Sequence, residues 1–112
     1  MTTEQRNAPF NENAQVFVRT DANYTMNNDV DTVDVFGAGV TVSLPPEPVF
    51  GQSHRIVAGA GAVLVSGNGH TIAGGNNNIP TLTFAEYVFS SSGGAAGQWV
   101  SDCCTTDVTP PQ

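Results

Sequence analysis

Two glycine pairs are the first candidates for chemistry, because closely spaced glycines can form a loop that holds phosphate. Gly59-Ala60-Gly61 and Gly67-Asn68-Gly69 have the spacing that opens a dinucleotide-binding loop. That loop needs a third glycine three residues later, where this chain has Leu64 and Ile72. Neither pair is followed by a helical pattern, which the phosphate site also requires. Both pairs therefore indicate turns, and Asn-Gly in the second favours a tight hairpin.

An acidic segment is the first candidate metal site. It offers alternate oxygen ligands of the kind that calcium binds; these are Asn27, Asp29, Asp31 and Asp34. Thr32 stands where a calcium loop has its sharp-turn glycine, and Ala38 stands where it has its bidentate glutamate. We therefore interpret the acids as solvent-exposed side chains beside a strand.

Two histidines are the second candidate for metal binding. His54 and His70 have no further His or Cys nearby at ligand spacing. A threefold axis could still bring three copies of one histidine together around a metal ion. The simpler interpretation is a histidine on a strand face, and the sequence predicts no cofactor and no metal.

Adjacent cysteines, Cys103 and Cys104, are an unusual feature near the C-terminus. A disulfide between neighbours needs distorted geometry, and two free thiols are the expectation for a protein made in a reducing cytosol. A second hypothesis is intermolecular: in a trimer, Cys103 of each chain could bond Cys104 of the next chain.

Aromatic side chains close the list of candidate sites. Tyr87, Phe89 and Trp99 can meet across a hairpin. They could stack against a sugar, although aromatic neighbours on a hairpin more often belong to the core. No Gly-x-Ser-x-Gly elbow and no positioned carboxylate pair is present. We therefore predict that the protein is not an enzyme.

The elements that must carry these residues are predicted to be short strands. The 112 residues include 12 Gly and 7 Pro, no Lys and only three Leu, which favours an all-β domain with many turns. No repeat of fixed period is apparent. Alternation and turn signals predict strands at 14–20, 32–36, 40–44, 52–57, 62–66, 70–73, 81–84, 86–89 and 98–100.

The domain organisation and charge limit the partners. We expect an extended arm at 1–13, a β-domain at 14–102 and a tail at 103–112. The net charge of −7 leaves no basic patch for phosphates, which excludes nucleic acid, and it disfavours an anionic membrane surface. No signal peptide and no apolar run of membrane-spanning length is present, so synthesis in a cytosol is expected.

The order of strands and turns resembles a β-domain that recurs in bacteriophage fibre and capsid-decoration proteins. The similarity covers about residues 35–101 and rests on the order of five motifs. They are Leu44-Pro45-Pro46, Gly51-Gln52 before Arg55-Ile56-Val57, Gly67-Asn68-Gly69 before Thr71-Ile72, Leu82-Thr83-Phe84, and Gly97-Gln98-Trp99. The resemblance implies a homotrimer of small antiparallel β-sandwiches or barrels and a non-enzymatic role on the virion, made in the host cytoplasm.

The short chain favours a small decoration (cement) protein or short head fibre over a long tail fibre. We expect it to bind the major capsid protein at the capsid surface, with Arg6, Pro9 and Phe10 of the arm as anchoring residues. The alternative is a receptor-binding module that recognises host surface polysaccharide. In that case loops 74–80 and 90–97, with Tyr87 or Trp99, would make the contact.

Overall fold

Ten short β-strands make up the described part of the chain, as a computed structural model shows. The structure describes residues 3–7, 16–75, 77–91, 94 and 96–102. Within them the only helical segment is a 3-10 turn at Ala73–Gly75, so the predicted all-β character is confirmed. No helix among the described residues has the length and hydropathy to span a membrane. The strands are β1 (Thr3–Asn7), β2 (Val16–Thr20), β3 (Tyr24–Thr25), β4 (Val30–Val35), β5 (Val40–Ser43), β6 (Ser53–Ala58), β7 (Val63–Ser66), β8 (Asn78–Ile79), β9 (Thr83–Ser90) and β10 (Gln98–Ser101).

The strands form two mixed sheets. Sheet A has the order β1-β2-β4-β6-β9-β10, and sheet B has the order β3-β5-β7-β8. From β2 to β7 the chain alternates between the sheets, so each pair of consecutive strands makes one coil. Three coils therefore stack on one another, with β1 added at one end of sheet A and β9 and β10 added at the other.

The prediction of an antiparallel sandwich is wrong for the centre of the molecule. β2, β4 and β6 pair in parallel in sheet A, and β3, β5 and β7 pair in parallel in sheet B. The reason is the connection: the chain crosses to the other sheet before it returns, so each strand enters its sheet in the same direction as the one before. Antiparallel pairs lie at the ends, where β1 joins β2, β9 joins β6 and β10, and β8 joins β7.

The coils form a structural repeat of unequal length. In the last two coils, Val33 pairs with Ile56 and Val40 pairs with Val63, an offset of 23 residues in both sheets. The first coil is shorter, because Val18 pairs with Val33 only 15 residues later. The absence of a fixed period in the sequence follows from this difference in coil length.

Aliphatic side chains stack in rows between the two sheets. In sheet A, Val18, Val33, Ile56 and Ala85 are successive partners across four strands, and all are fully buried. In sheet B, the row of Val40, Val63 and Ile79 is buried in the same way. Short β-branched side chains suit such rows, because they pack well against neighbours on a pleated surface.

The turns between the sheets also stack, and this explains two of the glycines. A Cβ atom on Gly37 would lie 2.8 Å from the backbone oxygen of Asp21 in the preceding coil. A Cβ atom on Gly61 would lie 3.0 Å from the Cα atom of Ala38. Glycine is therefore needed where one turn lies directly against the next.

The two predicted hairpins have different outcomes. The loop after Ser90 does join an antiparallel hairpin, in which Phe89 lies opposite Trp99. Gly67-Asn68-Gly69 forms the predicted turn, with positive φ at Asn68 and Gly69, but residues 70–73 do not return along β7. They lie beside β10 instead, where Ile72 bridges to Trp99, while β8 pairs with β7.

Candidate functional site: the outer face of sheet A

The predicted host contacts Tyr87 and Trp99 lie inside the core. Both side chains have no exposed surface, so the prediction that they touch a host glycan is wrong for these two residues. The alternative interpretation as core aromatics agrees with the structure: the Trp99 and Phe89 rings meet edge to face at 5.2 Å. Burial raises the pKa of Tyr87 to about 12, against a smaller opposing effect of its hydrogen bond with Ser101.

The predicted anchoring and disulfide residues mostly fall outside the described part of the chain. Pro9, Phe10, Cys103 and Cys104 all lie outside the described residues. Arg6 lies on β1, where its backbone is the partner of Phe17 at the edge of sheet A. The first part of the expected arm, Thr3–Asn7, is thus a strand of the sheet.

The candidate metal ligands do not converge. Among the described residues no three His, Cys, Asp or Glu side chains are placed to hold a metal ion. The Asn27 side-chain oxygen accepts the backbone N–H of Asp29, which closes a local turn before β4. Asp31 and Asp34 lie on β4 itself, on the same strand but separated by Thr32 and Val33.

An apolar surface on the outer face of β9 and β10 is the feature that sequence reasoning missed. Along β9, Ala85, Tyr87 and Phe89 point into the core, so Phe84, Glu86 and Val88 point outward. The side chain of Val100 on β10 is also exposed. We call the exposed apolar residues of this face the outer patch; they are Leu82 (81% exposed), Phe84 (57%), Val88 (36%) and Val100 (38%).

The outer patch has two apolar ends with charges between them. Val88 and Val100 are direct cross-strand partners at one end. Phe84 lies about 13 Å from Val88, four residues back along the strand. Between them Glu86 is the partner of Arg55 on β6. The Arg55 guanidinium lies 5.5 Å from the centroid of the Phe84 ring, so the cation rests beside the apolar group.

Leu82 adds a strained backbone to this surface. It has a φ of 68°, a left-handed conformation that residues other than glycine, asparagine and aspartate rarely adopt. A hydrogen bond from the Leu82 N–H to the Ala58 carbonyl holds it there at 2.7 Å. The turn is closed by the Thr83 hydroxyl, which donates to the Pro80 carbonyl at 2.6 Å. The chain thus presents a large apolar side chain to solvent from a position that glycine would occupy at lower cost.

A shallow hollow of about 330 Å³ lies at the other end of the patch. Glu86, Val88, Val100, Ser101 and Asp102 line it. The Asp102 carboxylate accepts the backbone N–H of Glu86 at 3.0 Å, which extends the contact between β9 and β10 beyond the last strand residue. The hollow adds acidic side chains to the outer patch, beside which Arg55 lies, so the whole face has apolar contacts and charges of both signs, which suits binding to another protein surface.

No family model, curated protein or solved structure matches this chain. The geometry of the described residues is therefore the observation on which a functional proposal must rest. One sequence signal for the outer patch was present: Tyr87, Val88 and Phe89 form a continuous apolar run, which is typical of a strand covered on both faces.

Proposed function

We propose that this chain is a structural protein of a bacteriophage virion. In this proposal it is a homotrimeric capsid decoration protein, or a short head fibre, that binds the major capsid protein. It works by binding energy alone: contacts made only by the folded and assembled protein stabilise the capsid by mass action. The resemblance in the order of motifs supports the virion role, and the exposed apolar residues of the outer patch support an assembly through that face.

The outer patch is the observation that carries this proposal. Exposed apolar side chains at both ends of one sheet face, with the strained Leu82 at one of them, favour a surface that another protein covers. Arg55 and Glu86 lie side by side between the apolar ends. In a ring of three copies, Arg55 of one copy can face Glu86 of the next, so this face carries both charges that a head-to-tail contact between copies needs.

The arm is proposed to supply the capsid contact. Deleting it would also remove β1 from the edge of sheet A, so substitution is the better test. We expect Phe10→Ser to lower occupancy on capsids of the parent phage that lack this protein, without changing the oligomeric state. Unchanged occupancy would exclude Phe10 as an anchor.

The assembly is tested by sedimentation equilibrium with two matched variants. We expect the unmodified protein to sediment as a trimer and Val88→Asp to sediment as a monomer, because the carboxylate would be buried without a partner. Leu64→Asp is the control: Leu64 is also an exposed apolar strand residue, but it lies on sheet B, and this variant should remain trimeric.

Two outcomes would contradict the proposal. A protein that stays monomeric at all accessible concentrations would exclude the trimer, and a trimeric Val88→Asp would exclude the outer patch as its interface. Binding of the labelled protein to host cells instead of capsids would favour the receptor-binding alternative.

A further inference from the structure

The loop from Pro45 to Gln52, here called the crossover loop, connects β5 of sheet B to β6 of sheet A. Its tip carries two exposed apolar side chains, Val49 and Phe50. The Phe50 ring stacks on Phe89 with centroids 5.2 Å apart. The backbone of Val49 is held by a side chain, since its N–H donates to Oε1 of Gln52 at 2.6 Å.

The orientation of the Gln52 amide is fixed by this contact. A backbone N–H can only donate, so the oxygen of Gln52 must face Val49. Its Nε2 then faces the Asn28 side-chain oxygen at 3.0 Å and Nε2 of His54 at 2.7 Å. Asn28 is oriented in turn, because its Nδ2 donates to the Glu47 carbonyl at 3.1 Å.

These contacts determine where His54 carries its proton. The Gln52 amide nitrogen can only donate, so Nε2 of His54 must accept and therefore has no proton. On the other side of the ring, Nδ1 lies 2.6 Å from the Val30 carbonyl oxygen, which can only accept. His54 is therefore neutral and protonated at Nδ1, and only 2% of the residue is exposed.

A second proton on His54 cannot be accommodated without breaking this chain of hydrogen bonds. At Nε2 it would point at the amide hydrogens of Gln52. Rotating the amide to present its oxygen to His54 would place its nitrogen against the Val49 N–H instead. We propose that His54 and Gln52 form an acid-sensitive latch, in which protonation of His54 releases the Gln52 side chain from the Val49 N–H and loosens the Val49–Phe50 tip of the crossover loop. The tip then keeps only the hydrogen bonds from the Gln52 N–H to the Val49 carbonyl and from the Gly51 N–H to the Phe89 carbonyl, together with the Phe50–Phe89 stacking.

The charged groups around His54 stabilise its protonated form only weakly. Burial lowers the pKa of His54 below its ordinary value of 6.5, and this outweighs the Val30 hydrogen bond and the charge of Asp31, which both raise it. Asp31 on β4 lines a hollow of about 140 Å³ together with Arg55 on β6 and Glu86 on β9. Arg55 and Glu86 have opposite charges, so their effects on the imidazolium partly cancel.

The remaining neighbours of His54 are uncharged. Its cross-strand partner on β9 is Tyr87, whose raised pKa keeps it neutral throughout the acid range. On β10 the Trp99 ring meets the imidazole edge to face, with centroids 5.8 Å apart. The described residues therefore place one carboxylate, that of Asp31, where it favours the cation.

His70 provides an internal comparison, because it holds the same loop through a contact that acid does not break. Its Nε2 lies 3.1 Å from the Pro46 carbonyl oxygen. That oxygen can accept a hydrogen bond from either the neutral or the charged ring. Acid should therefore affect the two histidines differently, although both contact the crossover loop.

The direction of the pH effect follows from linkage. Burial lowers the pKa of His54 in the closed latch, and opening the latch lets solvent reach the ring and raises that pKa towards its ordinary value. As pH falls below 6.5 the open state therefore gains population, by up to about tenfold for each pH unit, until the pKa of the closed state is reached. The inference rests on the loop alone, so it holds whether or not the protein forms a trimer.

The experiment measures the latch in the unmodified full chain by NMR. Nitrogen chemical shifts of the imidazoles between about pH 7.5 and pH 5 should give a neutral, Nδ1-protonated His54 at the upper end. Protection of the Val49 amide from exchange, corrected for intrinsic rates, should fall by up to about tenfold per pH unit below 6.5. Protection of the Val33 amide in the core should stay constant at mildly acidic pH.

Two variants make the test decisive. In Gln52→Glu, one carboxylate oxygen can still accept a hydrogen bond from the Val49 N–H, and the other can accept one from Nε2–H of protonated His54. The His54 pKa should therefore rise, and Val49 protection should persist in acid. His70→Gln should keep the pH dependence of the unmodified protein. The proposal is overturned if Val49 protection does not depend on pH, if His54 carries its proton on Nε2 at neutral pH, or if Gln52→Glu leaves the pH profile unchanged.

Discussion

Replacing Leu82 by glycine should have opposite effects on folding and on assembly. Leu82 has a φ of 68° and is 81% exposed. Its side chain adds little to the stability of the monomer, while its backbone conformation is unfavourable. The left-handed conformation costs roughly 1–2 kcal/mol for a residue with a Cβ atom, and the greater entropy loss of glycine on folding offsets roughly 0.5–1 kcal/mol of the gain.

The net expectation for Leu82→Gly is a monomer more stable by about 0.75 kcal/mol, the middle of a range of roughly 0–1.5 kcal/mol. In a domain of this size such a gain raises the melting temperature by roughly 2–5 °C. Assembly should weaken, because complete burial of a leucine side chain contributes about 1.5–3 kcal/mol. The dissociation constant should therefore rise by roughly 10- to 100-fold.

The assays are urea unfolding at a concentration where the protein is monomeric and sedimentation equilibrium at higher concentration. Leu82→Ala is the matched control, since alanine removes most of the apolar surface but keeps the backbone strain. It should weaken assembly without stabilising the monomer. A Leu82→Gly monomer that is less stable than the unmodified protein would refute the strain argument, and unchanged association would remove Leu82 from the interface.

Two further predictions concern the coils and the core. Gly37→Ala should lower the free energy of unfolding by about 1–3 kcal/mol in a urea titration, because the new methyl group meets the Asp21 carbonyl of the preceding turn. Ala60→Ser is the control, because Ala60 lies on an exposed turn. It should change the free energy of unfolding by less than about 0.5 kcal/mol. Alkaline titration should destabilise the fold as pH rises from 10 towards 12. The reason is that the buried Tyr87 hydroxyl keeps its proton to about pH 12, whereas in the unfolded chain it loses the proton near pH 10. The free energy of unfolding should fall by up to about 1.4 kcal/mol per pH unit, and a constant value across this range would contradict the burial of Tyr87.

Local chemistry was sufficient to predict where most strands lie. Predicted strands at 40–44, 52–57 and 62–66 match Val40–Ser43, Ser53–Ala58 and Val63–Ser66 within one residue at each end. Alternation of β-branched and polar residues marks these segments, and glycine pairs mark the turns that follow. The information is local, because side-chain alternation and turn conformation depend on neighbouring residues.

The direction of strand pairing could not be predicted in the same way. Gly67-Asn68-Gly69 makes the expected turn, yet the segment after it pairs with β10 and not with β7. The turn fixes the local backbone but not the strand beside which the chain then lies. The edge of β7 is taken by β8, since the Val65 N–H donates to the Asn77 carbonyl. The repeat of the coils is also not visible in the sequence, because the coils differ in length.

The proposed functional features, the latch and the contact surface, depend even more on tertiary structure. The latch combines Asn28, Gln52 and His54, whose first member precedes the others by more than 20 residues. They meet because β4 and β6 are parallel neighbours in sheet A, and no spacing in the sequence indicates this. The assignment of Tyr87 and Trp99 to a contact surface failed for a related reason, since aromatic residues on a hairpin occur on either face and only packing decides between them.

β6 connects the two proposals, because its alternate residues serve different purposes. His54, Ile56 and Ala58 face the interior, where the first belongs to the latch and the other two to the core. Arg55 faces outward beside the outer patch. The crossover loop leads directly into β6, and its Gly51 N–H donates to the Phe89 carbonyl on β9 at 2.8 Å. The end of β6 nearest the latch is therefore also the end that pairs with β9 at Val88. If both proposals hold, opening of the latch would act at the end of β6 that pairs with β9 beside Val88 of the outer patch.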